Sequence, residues 1–153
     1  MRRRSSALLA IAALTSACAA PEQSHSRQSV EEGMKIRIVA ADRTLTAVLE
    51  DSAAGRDFAA LLPLELTLRD YHRTEKVADL PTRLSIANAP EGVEPKAGDI
   101  AYYAPWGNLA IFYRDFGYSR GLVRLGRLES DSHFLAGDAT IPVRIERIAA
   151  ESE

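Results

Sequence analysis

The chain has 153 residues, 46% of them hydrophobic and 26% charged, with only 9 Gly and 7 Pro, which describes one globular domain with a real core and excludes disordered and fibrous chains. Its 19 basic and 21 acidic residues nearly cancel, so the surplus of Lys and Arg that phosphate contacts require is missing and nucleic acid is not an expected partner. The single Cys excludes an intramolecular disulfide and a Cys-rich zinc site.

In chain order, Met1-Arg2-Arg3-Arg4 is a positive n-region and Ala7–Leu14 (ALLAIAAL) a short apolar run that ends in Thr15, Ser16 and Ala17. Residues 1–17 therefore form a secretory leader. The run is far below the roughly 20 apolar residues that a membrane-spanning helix needs. Leu14-Thr15-Ser16-Ala17-Cys18 resembles a bacterial lipoprotein box, cut before a Cys whose sulfur carries a diacylglycerol, although Thr15 stands where such boxes normally have Leu. The alternative is an ordinary A-x-A cut after Ala19. Lipidation of Cys18 makes the membrane a partner and the cell envelope the expected location; the ordinary cut leaves an exported, periplasmic protein. Either cut removes Arg2, Arg3 and Arg4 and no acidic residue, so the mature chain is mildly acidic with 16 basic against 21 acidic residues. Residues 18–33 (CAAPEQSHSRQSVEEG) are polar and aperiodic, a flexible tether.

The folded domain is expected over residues 34–148. Met34, Ile36 and Ile38 alternate with Lys35 and Arg37, and Leu45, Ala47 and Leu49 with Thr44, Thr46 and Val48, which predicts two strands joined by a hairpin turn at Ala40–Arg43. Asp51 or Ser52 can cap a short helix running to about Leu62, with Phe58, Leu61 and Leu62 on one face and Pro63 stopping it. Leu64, Leu66 and Leu68 against Glu65, Thr67 and Arg69 form a strand with one wet side. Residues 71–98, punctuated by Pro81, Pro90, Gly92, Pro95 and Gly98, read as long connections with one short strand or helical turn near Lys76–Leu80. Order returns at Ile100–Tyr103, Leu109–Arg114, Leu122–Arg127 and Ile141–Glu146. About seven short strands and a single good helix predict a mainly β fold, a small closed or nearly closed barrel that hides its sheet edges, with one or two short helices.

Four segments carry a family resemblance: Leu61–Leu68 (LLPLELTL), Tyr71–Lys76 (YHRTEK), Gly98–Tyr113 (GDIAYYAPWGNLAIFY) and Phe116–Leu122 (FGYSRGL). Together they resemble the bacterial cyclophilin-like domain family, over most of Met34 to about Glu129. The resemblance implies a closed cyclophilin-type barrel and, because such domains are grouped by fold, implies little about activity. The close grouping of Arg, Phe, Met and Gln by which true cyclophilins are known is absent, so prolyl isomerase activity does not carry over residue by residue.

The densest chemical cluster is aromatic: Tyr102, Tyr103, Trp106, Phe112, Tyr113, Phe116 and Tyr118, with Asn108 among them. Such rings supply apolar area at small entropic cost, and their polar tips and the Asn108 amide can orient a ligand. The competing role for half of them is core filling. Gly107, Gly117 and Gly121 would let backbone come close. Of the nearby charges Glu75, Asp99, Arg114, Asp115 and Arg120, the last offers a planar fork to a carboxylate, while most are expected in ion pairs and turn caps. The candidate ligand-binding set is thus Glu75, Tyr102, Tyr103, Trp106, Asn108, Phe112, Tyr113, Tyr118 and Arg120.

Catalytic residues stay unassigned. Gly117-Tyr118-Ser119-Arg120-Gly121 matches the G-x-S-x-G nucleophile elbow by sequence but is followed by a strand, and only His133 lies downstream. His25, His72 and His133 have no metal-ligand spacing, and no Gly-rich loop opens a helix, so neither a metal nor another cofactor is expected. Three functions fit: a protein that binds a small molecule or peptide segment without established catalysis, a peptidyl-prolyl isomerase acting on envelope proteins, and a protein-interaction module.

Overall fold

The computed structural model describes residues 33–149; the leader, Cys18 and all but the last residue of the tether lie outside the described residues. Its elements are β1 (Met34–Ala40), β2 (Arg43–Leu49), α1 (Ala53–Ala60), β3 (Leu64–Tyr71), β4 (Glu75–Asp79), β5 (Gly92–Val93), β6 (Asp99–Tyr103), β7 (Asn108–Phe112), β8 (Ser119–Arg120), β9 (Leu122–Leu128) and β10 (Ile141–Arg147). Eight of the strands close into an antiparallel barrel in the order β1-β10-β3-β4-β7-β6-β9-β2, while β5 and β8 pair with each other as a separate ribbon. The expected β-barrel is the one observed.

Alternation builds the inside of the barrel. Ile36, Ile38 and Ala40 of β1 and Leu45, Ala47 and Leu49 of β2 are buried, and Lys35 and Arg37 stay outside. Arg37 donates to Glu146 across the β1–β10 pair at 2.6 Å. The helix begins where the Ser52 hydroxyl accepts from the Gly55 N–H at 3.0 Å, settling the cap on Ser52 rather than Asp51. It sends Phe58 into the core and ends on carbonyls held by a strand: the Arg147 guanidinium donates twice to the Ala59 oxygen, at 3.0 and 2.6 Å.

The central difference from the sequence expectation is β4. Lys76–Leu80 allowed a strand or a helical turn, and a strand forms over Glu75–Asp79, paired to β3 and to β7. Its polarity pattern is inverted: Lys76 lies opposite the core residue Ile111 and is 0% exposed. The Lys76 ammonium donates to the carbonyls of Gly137 and Ala139 at 2.5 and 2.7 Å and lies 3.5 Å from an Asp70 carboxylate oxygen. Asp70 also accepts from the Tyr113 hydroxyl and, at 3.0 Å, from the Arg73 N–H. This network ties β3 and β4 to the β9–β10 connection, which also drops Leu135 fully into the core. Burial works against ionising Asp70, but the Tyr113 hydroxyl, the Arg73 N–H and the Lys76 charge outweigh it and hold the carboxyl below its ordinary range. Tyr113 in turn is pushed up to about 12, by burial first and by its bond to the charged Asp70 second.

Strands β6 and β7, with the adjoining parts of β4 and β9, are covered on both faces. Inside lie Ile100, Tyr102, Leu109, Ile111, Val123 and Leu125. Outside, Val77, Ala101, Ala110, Phe112 and Leu122 form a second, smaller cluster, with Tyr71, Val93 and Tyr103 packed against it. Two core layers on one stretch of sheet are the foundation of the site.

Candidate functional site

The second cluster floors a cavity of about 510 Å³ on the outer face of the barrel. Its floor comes from Val77, Phe112 and Leu122, and its polar positions are Glu75 and Asn108. Glu75 lies opposite Phe112 and Asn108 opposite Asp79 in the β4–β7 register, so the two polar groups mark opposite ends, about 13 Å apart at the backbone by strand geometry.

Two connections raise the walls. The β6–β7 turn presents Trp106, with the Trp106 and Gly107 N–H groups both donating to the Tyr103 carbonyl, at 3.2 and 2.9 Å. The indole stands edge-to-face with Tyr103 at 5.4 Å and with Tyr71 at 5.7 Å between ring centroids, so it is held in position although it is 58% exposed. Opposite it, Phe116 and Ser119 come from the segment between β7 and β9. That segment is fixed by β8 pairing with β5, by the Phe116 N–H to Pro95 carbonyl bond at 3.0 Å, and by Asp115 accepting from the Ala97 N–H at 2.9 Å. Gly121 closes it: at φ +83 its N–H reaches the Glu91 carbonyl at 2.7 Å, and a Cβ there would meet the Pro105 ring at 2.9 Å. Gly117, by contrast, has open space around it.

The third wall is the β3–β4 hairpin, with Tyr71, His72 and Thr74. His72 and Arg73 both have positive φ, 50° and 56°, the central pair of a primed turn closed by the Thr74 N–H to Tyr71 carbonyl bond at 3.1 Å, inside a loop that Thr74 lengthens before Tyr71 pairs with Glu75; such a pair ordinarily selects Asn-Gly. Two side chains in the left-handed region store strain at the cavity rim, and such strain collects at functional sites.

Of the residues proposed from sequence, Glu75, Tyr103, Trp106, Asn108 and Phe112 line the cavity. The structure sets four others apart from them. Tyr102 points into the barrel, where its hydroxyl accepts from the Leu84 N–H at 3.3 Å. Tyr113 belongs to the Asp70–Lys76 network. Tyr118 is 62% exposed outside the cavity, and Arg120 turns to Glu91 at 3.6 Å. Strand parity explains both: Ser119, between them, is the residue that faces in. Among the other nearby charges, Asp99 caps the Lys96 N–H and pairs with Arg127 at 2.7 Å, a structural post. Tyr71, His72, Thr74, Val77, Ser119 and Leu122 escaped the sequence argument.

Ser119, His72 and Glu75 share the cavity, yet no hydrogen bond links them, and the short strand carrying Ser119 runs into another strand rather than a helix; the strand–turn–helix setting of a nucleophile elbow is missing. Among the described residues no group of His, Cys, Asp or Glu side chains is placed to hold a metal ion. A second concavity, between β3 and β10, is lined by Glu65, Leu66, Thr67, Pro142, Val143 and Arg144. It contains no aromatic ring and is crossed by the Arg144–Glu65 pair at 3.2 Å.

The electrostatics single out Glu75. Burial, with a smaller contribution from the negative charge of Asp70, pushes its carboxyl up from an ordinary value of 4.5 to about 7. The folded protein thus holds this proton more tightly than the unfolded chain, so the stability it contributes is complete below about pH 4.5 and is lost as the pH rises through about 7. Because Glu75 keeps partial contact with water, solvent screening discounts the full linkage value, and Glu75→Gln is expected to stabilise the unliganded protein by about 1–2 kcal/mol at about pH 8 and by well under about 1 kcal/mol at about pH 5. Urea unfolding at the two pH values checks this; equal shifts at both would show that the carboxyl is not buried.

Comparison with known proteins agrees with the barrel fold. The model of the cyclophilin-like family matches residues 38–146. No curated protein matches the chain. Among solved structures, the solution structure of the hypothetical protein AF2241 from Archaeoglobus fulgidus superimposes with a TM-score of 0.54 at 19% identity, covering 76% of this chain and 96% of that one. At that identity the likeness concerns the fold alone.

Proposed function

The chain belongs to the cyclophilin-like family, and from that premise we propose that it is a binding protein whose outer-face cavity takes a small molecule or a short peptide segment. The observation that carries this is the ring wall: a cavity of about 510 Å³, inside the roughly 300–1,000 Å³ range of ligand sites, in which an exposed Trp106 is fixed edge-on by Tyr71 and Tyr103. Rings ordered before a ligand arrives lose little entropy when it binds. A prolyl isomerase would need an Arg aimed at the prolyl nitrogen; neither Arg114 nor Arg120 lines the cavity. The test is a thermal-shift screen with small amines, acids, amides and peptides, in which a ligand at 100 times its dissociation constant adds about 2.7 kcal/mol of stability. A broad screen with no stabilising compound would sink the proposal.

We propose in addition that the protein is exported and held at a membrane of the cell envelope through lipid on Cys18. The support is the sequence alone: the Arg2–Arg4 n-region, the Ala7–Leu14 run, and a lone Cys placed at its end. Several acyl chains on one residue would make a stable anchor. Mass spectrometry of the mature N-terminus is expected to find a diacylglyceryl Cys18, and a chain starting at Ala20 would contradict it.

A further inference from the structure

Polar chemistry in the cavity is one-sided. Six rings surround it, those of Tyr71, His72, Tyr103, Trp106, Phe112 and Phe116, and neither Lys nor Arg lines it; the His72 imidazole packs edge-on against Tyr71 at 4.3 Å. Its one carboxyl, Glu75, makes no ion pair among the described residues. The cations nearest to it in sequence are committed elsewhere: Lys76 points to the barrel interior and holds Asp70, Gly137 and Ala139, while Arg73 turns to Asp138 at 3.8 Å. At the far end Asn108 is 5% exposed, and its Oδ1 has no hydrogen-bond donor. The lining therefore offers hydroxyl, indole and amide donors but no Lys or Arg to meet the Glu75 carboxylate. Aromatic faces are electron-rich and attract cations, most strongly where water is displaced, and a half-buried carboxylate without a counter-ion gains most when one is delivered.

We infer that the ligand of this cavity carries an organic ammonium group, held between the Glu75 carboxylate and the surrounding ring faces. The inference rests on the binding function proposed above and names its ligand class. The elevated titration of Glu75, to about 7, agrees with it: in the empty site a proton supplies the missing positive charge. The other titratable groups around Glu75 are Tyr71 and His72 on the hairpin, Tyr103 in the lining, Arg114, whose backbone N–H donates to the Thr74 carbonyl at 3.2 Å and whose side chain is outside the lining, and, behind Glu75, the mutually paired Asp70, Lys76 and Tyr113.

Three probes of similar reach separate charge from shape: phenethylammonium, 2-phenylethanol and 3-phenylpropanoate. Trp106, the one Trp of the chain, reports binding by its fluorescence. At pH 8 phenethylammonium is expected to bind at least about tenfold tighter than 2-phenylethanol, in line with a desolvated cation–ring and carboxylate contact, and 3-phenylpropanoate weaker than both. Glu75→Gln is expected to collapse the ammonium-to-alcohol ratio to about twofold or less, and lowering the pH from 8 to 6 to shrink it in the wild type, since an alkylammonium stays charged throughout. If the alcohol or the carboxylate binds as tightly as the ammonium, or the ratio survives Glu75→Gln, the ammonium inference fails while the binding cavity stands. Silence from all three probes counts against both.

Discussion

Replacing Lys76 by Met is expected to destabilise the fold by about 3–5 kcal/mol, the range for removing one partner of a buried ion pair, and to do so through the β9–β10 connection rather than through β4 itself. Met keeps the length and apolar stem of the side chain, so packing against Ile111 changes little. What is lost is the ammonium that the carbonyls of Gly137 and Ala139 and the Asp70 carboxylate converge on. The Asp70 carboxylate, with its side chain 13% exposed, would keep its charge without that partner, the more expensive half of a broken interaction, while the Gly137 and Ala139 carbonyls of the exposed connection would turn to water. A domain of this kind has only about 5–15 kcal/mol in total, so the variant should unfold at a visibly lower urea midpoint. The paired change Lys76→Met with Asp70→Asn should cost less than the sum of the single changes, because the second removes the charge the first orphaned. A loss below about 1 kcal/mol for Lys76→Met, typical of an exposed pair, would show that the ammonium is hydrated in solution and that the connection is not pinned there.

Trp106→Ala should produce the reverse profile: ligand binding weakened by roughly 30-fold or more, the about 2 kcal/mol or greater loss of an aromatic hot spot, with stability changed by no more than about 1 kcal/mol, as for other exposed positions. The indole is 58% exposed and its neighbours Tyr71 and Tyr103 have other support. Phe112→Ala is the instructive contrast. That ring also lines the cavity but is 1% exposed, so its removal should cost about 3–5 kcal/mol of stability and blur any effect on binding. Denaturant midpoints and ligand titrations on both variants separate a wall from a floor; a Trp106→Ala protein that binds every stabilising compound as the wild type does would remove the indole from the site.

How much of this was legible in the sequence depends on whether one face of a strand meets water. β1, β2, β3 and β10 have polar and apolar sides, and their alternation gave their positions closely. β6 and β7 are buried on both sides, so Asp99–Tyr103 and Asn108–Phe112 carry no contrast that tells inward from outward. Local pattern therefore cannot separate the adjacent tyrosines, of which Tyr103 faces the cavity and Tyr102 the core. β4 was harder still, since a Lys points inward and Glu75 outward toward rings, against the usual binary rule. The His72-Arg73 turn lacks the Asn-Gly that would have announced it. Trp106 and Asn108 were legible because a Trp next to Gly-Asn has few structural uses, and Glu75 because it is a charge inside the Tyr71–Lys76 segment of the family resemblance, whereas Val77, Ser119 and Leu122 join the site through pairing partners that no local pattern records.

Mapping amide chemical shifts while titrating a compound that stabilises the fold shows whether the ring-walled cavity, and not another surface, is where this protein binds. The largest changes are expected at Tyr71–Val77, in the Trp106 turn and over Phe112–Leu122, the three stretches that line the cavity. Changes centred instead on Glu65–Thr67 and Pro142–Arg144, the concavity between β3 and β10, would contradict binding at the cavity.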